Sequence, residues 1–209
     1  MPLFYTQTID EFTRLGVWEI TEPEDFFLEF VPVSRQITHP QKRLQHLAGR
    51  FLLQHLFPDF PLSLIQVAST KKPFLPQESH HFSISHCGNY AAAIVSTVDR
   101  VGIDIEIPTD RLLHLMPKYL HTNERMLAEP HALDQLVHVA TILWSAKEAM
   151  FKWYGHGEVD FKQHLRIYEL NFDKPDSGHI NAAFMKFDEQ PLQLPFTCWP
   201  NLVLSWLAV

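Results

Sequence analysis

Cysteine is scarce. Cys87 and Cys198 are the only two in 209 residues, too few for a disulfide framework, and each reads as a small buried apolar side chain. Long apolar runs are missing as well. No stretch approaches the roughly 20 residues needed to span a bilayer. Met1-Pro2-Leu3-Phe4-Tyr5 lacks the basic and small-residue pattern of a secretory signal, so a reducing, cytosolic setting is expected. There is no excess of positive charge: 17 Lys and Arg against 24 Asp and Glu give a formal net charge of −7. That argues against a dedicated nucleic-acid binder and leaves room for a local basic patch facing a phosphorylated small molecule. Low-complexity segments and short-period repeats are absent too. What is there, 46% hydrophobic and 20% charged residues, is ordinary for a globular protein. The length allows one large domain or two small ones with a real core.

The order of elements points to an α+β protein. A strand is expected at Val17-Trp18-Glu19-Ile20-Thr21 after Gly16. Pro23-Glu24-Asp25 fits a helix first turn, with acids at the positive dipole end. Gln41 to Phe57 carries Leu44, Leu47, Ala48, Phe51, Leu52 and Leu56 at helical spacing, and Pro58 ends it. Strand-like runs follow at 64–68, 81–85, 90–97 and 101–107, the last three read as an antiparallel meander joined by short turns. The second half repeats the order. Short helices at 111–119 and 123–128 and a long helix at 133–154 lead into strands at 165–170, 179–183 and 201–208. Helix then strands, twice, predicts two similar α+β halves, 1–103 and 104–209, forming a pseudo-dimer within one chain. Two halves in one chain would make a monomer sufficient.

Two segments carry the chemistry. In Val101-Gly102-Ile103-Asp104-Ile105-Glu106, period-2 geometry turns both carboxylates to one strand face. About forty positions later, Trp144-Ser145-Ala146-Lys147-Glu148-Ala149-Met150-Phe151-Lys152 puts Glu148 and Lys152 on one helix face. Three acids and two lysines presented together have the composition of a divalent-metal site that handles a phosphate or pyrophosphate. Lys147 falls on the apolar stripe of its helix, four residues from both Leu143 and Phe151. Either its stem snorkels to an edge or its ammonium meets an anion there.

At these residues the chain resembles the 4′-phosphopantetheinyl transferases of the surfactin-synthetase-activating (Sfp) type. The family signature is a [Val/Ile]-Gly-[Val/Ile]-Asp-x-Glu strand, then [Phe/Trp]-[Ser/Cys]-x-Lys-Glu-[Ala/Ser]-x-x-Lys, and every position is filled here. Lys71-Lys72-Pro73-Phe74-Leu75 resembles the family's Gly-Lys-Pro loop, with Lys71 where glycine is usual. Phe82-Ser83-Ile84-Ser85-His86-Cys87-Gly88 resembles its Ser-His strand end, and Arg43-x6-Arg50 its basic helix.

The resemblance implies transfer of phosphopantetheine from coenzyme A to a carrier-protein serine, with release of 3′,5′-ADP. It implies Mg²⁺ held by Asp104, Glu106 and Glu148, with Glu148 and Lys152 catalytic. Lys72, Ser85, His86, Arg43, Arg50 and Lys147 are the implied coenzyme A contacts. Glu124 resembles a family acid near the site, although a helix first-turn acid explains it equally well. An acidic acyl or peptidyl carrier would dock on a basic or apolar surface, for which the 107–132 loop with Lys118 and Arg125 is the candidate. Two other readings stay open: a non-catalytic coenzyme A- or carrier-binding regulator on the same fold, and an Mg²⁺-dependent diphosphate hydrolase.

Overall fold

The computed structural model describes residues 3–32, 37–128 and 133–209. The chain divides into two compact units, Met1–Ile103 with Ala208–Val209, and Asp104–Leu207. Both are α+β, each with one long helix and an antiparallel sheet.

The first unit contains β1 (Leu3–Thr8), β2 (Thr13–Glu19), α1 (Glu24–Leu28), α2 (Pro40–Leu56), the short pair β3 (Gln66–Val67) and β4 (Pro73–Phe74), β5 (His81–Cys87) and β6 (Tyr90–Ser96). Its main sheet has the order β1-β2-β6-β5. Pro40 stands in the first turn of α2, the His39 side chain accepts from the Lys42 amide, and Phe57 leaves in an extended conformation before Pro58. The helix buries Leu47, Ala48, Leu52 and Leu53 against Trp18, Ala93 and Val95 of the sheet. Gly49 is required there, because a Cβ would come within 2.6 Å of Ile84. Gln41 and Gln45 bond the Gly88 carbonyl at 3.0 and 2.8 Å. They anchor the start of α2 to the β5–β6 turn, where Gly88 takes φ 49°.

The expected meander is corrected. The strand after β6, β7 (Val101–Glu106), leaves that sheet, and β2 pairs with β6 in its place. Both β2 and β7 are buried almost throughout rather than on alternate residues. Burial on two faces lets a distant partner win over the next strand in sequence. The 64–68 strand shrinks to β3, preceded by a 3₁₀ turn at Leu62–Leu64.

The second unit continues with α3 (Asp110–Tyr119), α4 (Thr122–Arg125), α5 (Leu133–Tyr154), β8 (Leu165–Lys174), β9 (Ser177–Phe184), β10 (Gln190–Trp199) and β11 (Leu202–Ala208). Its sheet runs β7-β11-β10-β9-β8. Ile142, Leu143, Ala146 and Met150 of α5 pack on Ile167, Ile180 and Leu194. Gly155, at φ 73°, returns its amide to the Phe151 carbonyl and stops the helix. The sequence reading missed β1 and β10. Pro191 and Pro195 argue against a strand, yet both precede the Phe196–Trp199 stretch that bonds β11. Both cysteines are half-buried, and burial pushes the Cys198 thiol up to about 12. Among the described residues no helix is long and apolar enough to cross a membrane.

Candidate active site

The second unit brings the two motif segments together. Trp144, Glu148 and Lys152 are spaced i, i+4, i+8, so they form one ridge of α5. At one end of that ridge the Trp144 indole donates to Glu106 Oε1 at 3.1 Å. At the other, Lys152 Nζ meets Asp104 Oδ1 at 2.6 Å. The later helix residue meets the earlier strand residue, so α5 and β7 run in opposing senses. The buried Ser145 hydroxyl donates to the Asp104 carbonyl at 3.2 Å and fixes the helix against the strand.

The three acids feel one another. Burial, then the Asp104 charge, push the Glu106 carboxyl up to about 7; the Trp144 and Lys152 contacts oppose the rise, and Glu148 adds to it. Burial and Asp104 likewise push Glu148 up to about 7, against the pull of Lys152. Among the described residues no group of three or more His, Cys, Asp or Glu side chains forms a ready-made metal cluster. The donor set still fits a hard divalent cation in its chemistry. It is all oxygen, and two of its members are held up by burial first and by the Asp104 charge second, a charge that such a cation would offset.

Lys147 has a different occupation from the coenzyme A contact expected of it. It does meet an anion, but one supplied by the protein. Its ammonium is fully buried and donates to Glu124 Oε2 at 2.7 Å, to the Phe161 carbonyl at 2.8 Å and to the Tyr119 carbonyl at 3.0 Å. An ammonium has three donors, and all three are used. Burial pulls Lys147 down to about 8, opposed by the charge and hydrogen bond of Glu124. Glu124 also accepts from the His121 amide at 2.6 Å, closing a capping box on α4, and from the Ile167 amide at 2.8 Å. One carboxylate thus ties α4, α5 and β8.

The expected coenzyme A residues lie in the first unit. Arg43 pairs with Glu24 at 2.7 Å and donates to the Ile37 carbonyl. Arg50 is buried beside His46 at 2.9 Å. Ser85 is buried and His86 exposed, alternating along β5. Lys72 is pulled down to about 8 by burial and by the Arg100 charge. Lys71 adopts φ 69°, the left-handed conformation that glycine takes without strain. In the expected docking segment Lys118 is exposed and Arg125 half-buried; residues 129–132 of it lie outside the described residues.

Sequence reasoning missed what Trp144 and Ser145 do. Both stand in the quoted motif, but nothing in the spacing says that their side chains bond the acid strand. The Glu124–Lys147 pair, 23 positions apart, left no local signal either.

Three carboxylates and a lysine thus meet between one strand and one helix. Residues 100–196 match the model of the 4′-phosphopantetheinyl transferase superfamily, which places Asp104, Glu106, Glu148 and Lys152 inside the matched segment. Among curated proteins, the chain is 29% identical over 153 residues to "Enterobactin synthase component D" of Salmonella typhi, covering 72% of this chain and 61% of that protein. It is 30% identical over 125 residues to "4′-phosphopantetheinyl transferase AcpT" of Escherichia coli O157:H7, covering 59% and 64%. It is 29% identical over 124 residues to "Putative 4′-phosphopantetheinyl transferase slr0495" of a Synechocystis strain, covering 56% and 48%. The chain spans less than two thirds of the length of each of these relatives.

Proposed function

We propose that this chain is a 4′-phosphopantetheinyl transferase of the Sfp type. It moves the phosphopantetheine arm of coenzyme A to a serine of an acyl or peptidyl carrier protein, in a reaction that depends on Mg²⁺. The observation that carries the reading is the coupled group Asp104, Glu106, Glu148 and Lys152, inside the segment that matches the superfamily. Two similar α+β halves, an internal pseudo-dimer, belong to the same reading.

In this reaction the serine oxygen forms a bond to the β-phosphorus. The bond from that phosphorus to the bridging oxygen breaks, and 3′,5′-ADP leaves with the electron pair. Phosphoryl transfer relies on positioning and on neutralising charge that moves to the leaving oxygen. Asp104, Glu106 and Glu148 would hold Mg²⁺, which supplies that neutralisation at the diphosphate. In this reading Glu148 also orients the serine hydroxyl or takes its proton. Lys152, half-buried at the end of the ridge, offers its ammonium to the diphosphate. Lys72, Ser85 and His86 are the coenzyme A contacts of this reading, with Arg43 and Arg50 of α2 meeting the nucleotide.

The test is transfer of a labelled pantetheine arm from coenzyme A to a panel of fatty-acid, polyketide, non-ribosomal-peptide and lysine-pathway carriers. Transfer is expected with the wild type and is lost in Glu148→Gln and Asp104→Ala. No transfer to any carrier with Mg²⁺ present overturns the reading. Coenzyme A cleavage without a carrier would instead mark a hydrolase.

A further inference from the structure

The family pattern admits phenylalanine or tryptophan at position 144. A phenylalanine can only pack, whereas the tryptophan here does more. Its ring lies between Tyr119, edge-on at 5.0 Å, and Phe161, stacked at 5.7 Å. Two aromatic neighbours therefore fix the ring plane, and with it the direction of the N–H. That N–H points at Glu106 Oε1 at 3.1 Å. An indole nitrogen donates and never accepts, so Oε1 is an unprotonated acceptor whatever the state of Oε2. Tyr119 is itself held, because its hydroxyl donates to the Ala140 carbonyl at 3.0 Å. A chain of contacts from α3 through α5 ends on one oxygen of one acid.

Resting on the metal-dependent reading above, we propose that Trp144 is a positioning residue for the Glu106 carboxylate. Its indole N–H claims Oε1 and leaves Oε2 for a cation that Asp104, Glu106 and Glu148 would hold. The same bond favours the ionised carboxylate beside two like charges, the form a divalent cation needs. Trp144 touches neither coenzyme A nor the carrier in this account; it acts through Glu106. Its loss should therefore appear in cation affinity rather than in the rate once cation is saturating.

The test is calorimetric titration of the full chain with Mg²⁺ and Mn²⁺, paired with transfer kinetics at saturating Mg²⁺. Trp144→Phe keeps a ring between Tyr119 and Phe161 and removes only the donor. It is expected to bind either cation about 10–100-fold more weakly, the usual cost of losing an outer hydrogen-bond partner of a metal ligand, with kcat largely retained. Unchanged affinity overturns the proposal. No cation binding in the wild type overturns the metal-dependent reading itself, a distinct outcome. A second measurement reads the wild type and does not depend on Trp144→Phe folding. The five tryptophans give indole N–H resonances assignable through single Phe variants of Trp18, Trp153, Trp199 and Trp206. Adding Mg²⁺ to the wild type should shift the Trp144 signal most, since its acceptor hands charge to the cation. A Trp144 signal that stays put at saturating Mg²⁺ contradicts the proposal.

Discussion

Lys147 and Lys152 stand on the same helix, and each pairs with a carboxylate. The Lys147–Glu124 pair is fully buried, its ammonium shares three oxygens, and its carboxylate takes two backbone amides as well. The Lys152–Asp104 pair is just as short, but the lysine is 24% exposed and the acid has Glu106 and Glu148 beside it. The first pair balances its charge and satisfies its donors. The second leaves acid in surplus at a place that solutes can reach. A closed pair holds elements together; an open, unbalanced one has charge left over for a ligand. The comparison separates a lysine that ties the fold together from one that has charge beside it to spare.

The largest expected effect breaks the closed pair. Lys147→Met leaves the buried Glu124 charge with only the longer Arg166 contact at 3.8 Å and should cost about 3–5 kcal/mol in urea unfolding. Replacing both partners, Lys147→Met with Glu124→Gln, should recover much of that, because no buried charge is then left alone. Lys152→Met should cost about 1–3 kcal/mol, since one charge-assisted hydrogen bond to the buried Asp104 goes. It should nevertheless abolish most transfer.

Glu148→Gln sharpens the contrast from the acid side. It should eliminate transfer while raising the melting temperature of the metal-free protein at pH 8, because one of three repelling charges is gone. The pH dependence follows from burial first and from that repulsion second. Glu106 and Glu148 have folded-state values raised from 4.5 to about 7. Their contribution to stability is therefore fully present below about pH 4.5 and lost as pH rises through 7. Thermal melts of metal-free protein should show this decline between pH 5 and 8, a shallower one in Glu148→Gln, and recovery on adding Mg²⁺. The smallest effect lies away from both pairs. Lys71→Gly, at φ 69°, removes left-handed strain of about 1 kcal/mol and should stabilise by up to that amount, less the entropy of a freer chain.

How far the site was legible follows from which forces are local. Strand and helix periods put Asp104 with Glu106 and Glu148 with Lys152, and those pairings needed only the 2.0 and 3.6 repeats. The long helices were legible for the same reason, since α2 and α5 carry apolar stripes with clear stops at Phe57-Pro58 and Gly155. Lys147 was visible as an ion on an apolar stripe, but its partner Glu124 is fixed only when α4 folds against α5 and β8. The departure of β7 from the meander also depends on distant burial, which no run of alternating residues reveals. Pro191 and Pro195 hid β10, because whether a proline breaks a ladder depends on which side of the strand is bonded.

The central claim is that Asp104, Glu106 and Glu148 form one coupled acid group held open for a divalent cation, apart from the closed Lys147 pair. Calorimetric Mg²⁺ titration near pH 7 in buffers of different ionisation enthalpy tests it directly. Two carboxyls near half-protonation predict that cation binding releases about one proton per site, with the release reduced in Glu148→Gln. Binding without proton release, or no binding at all, would contradict the account.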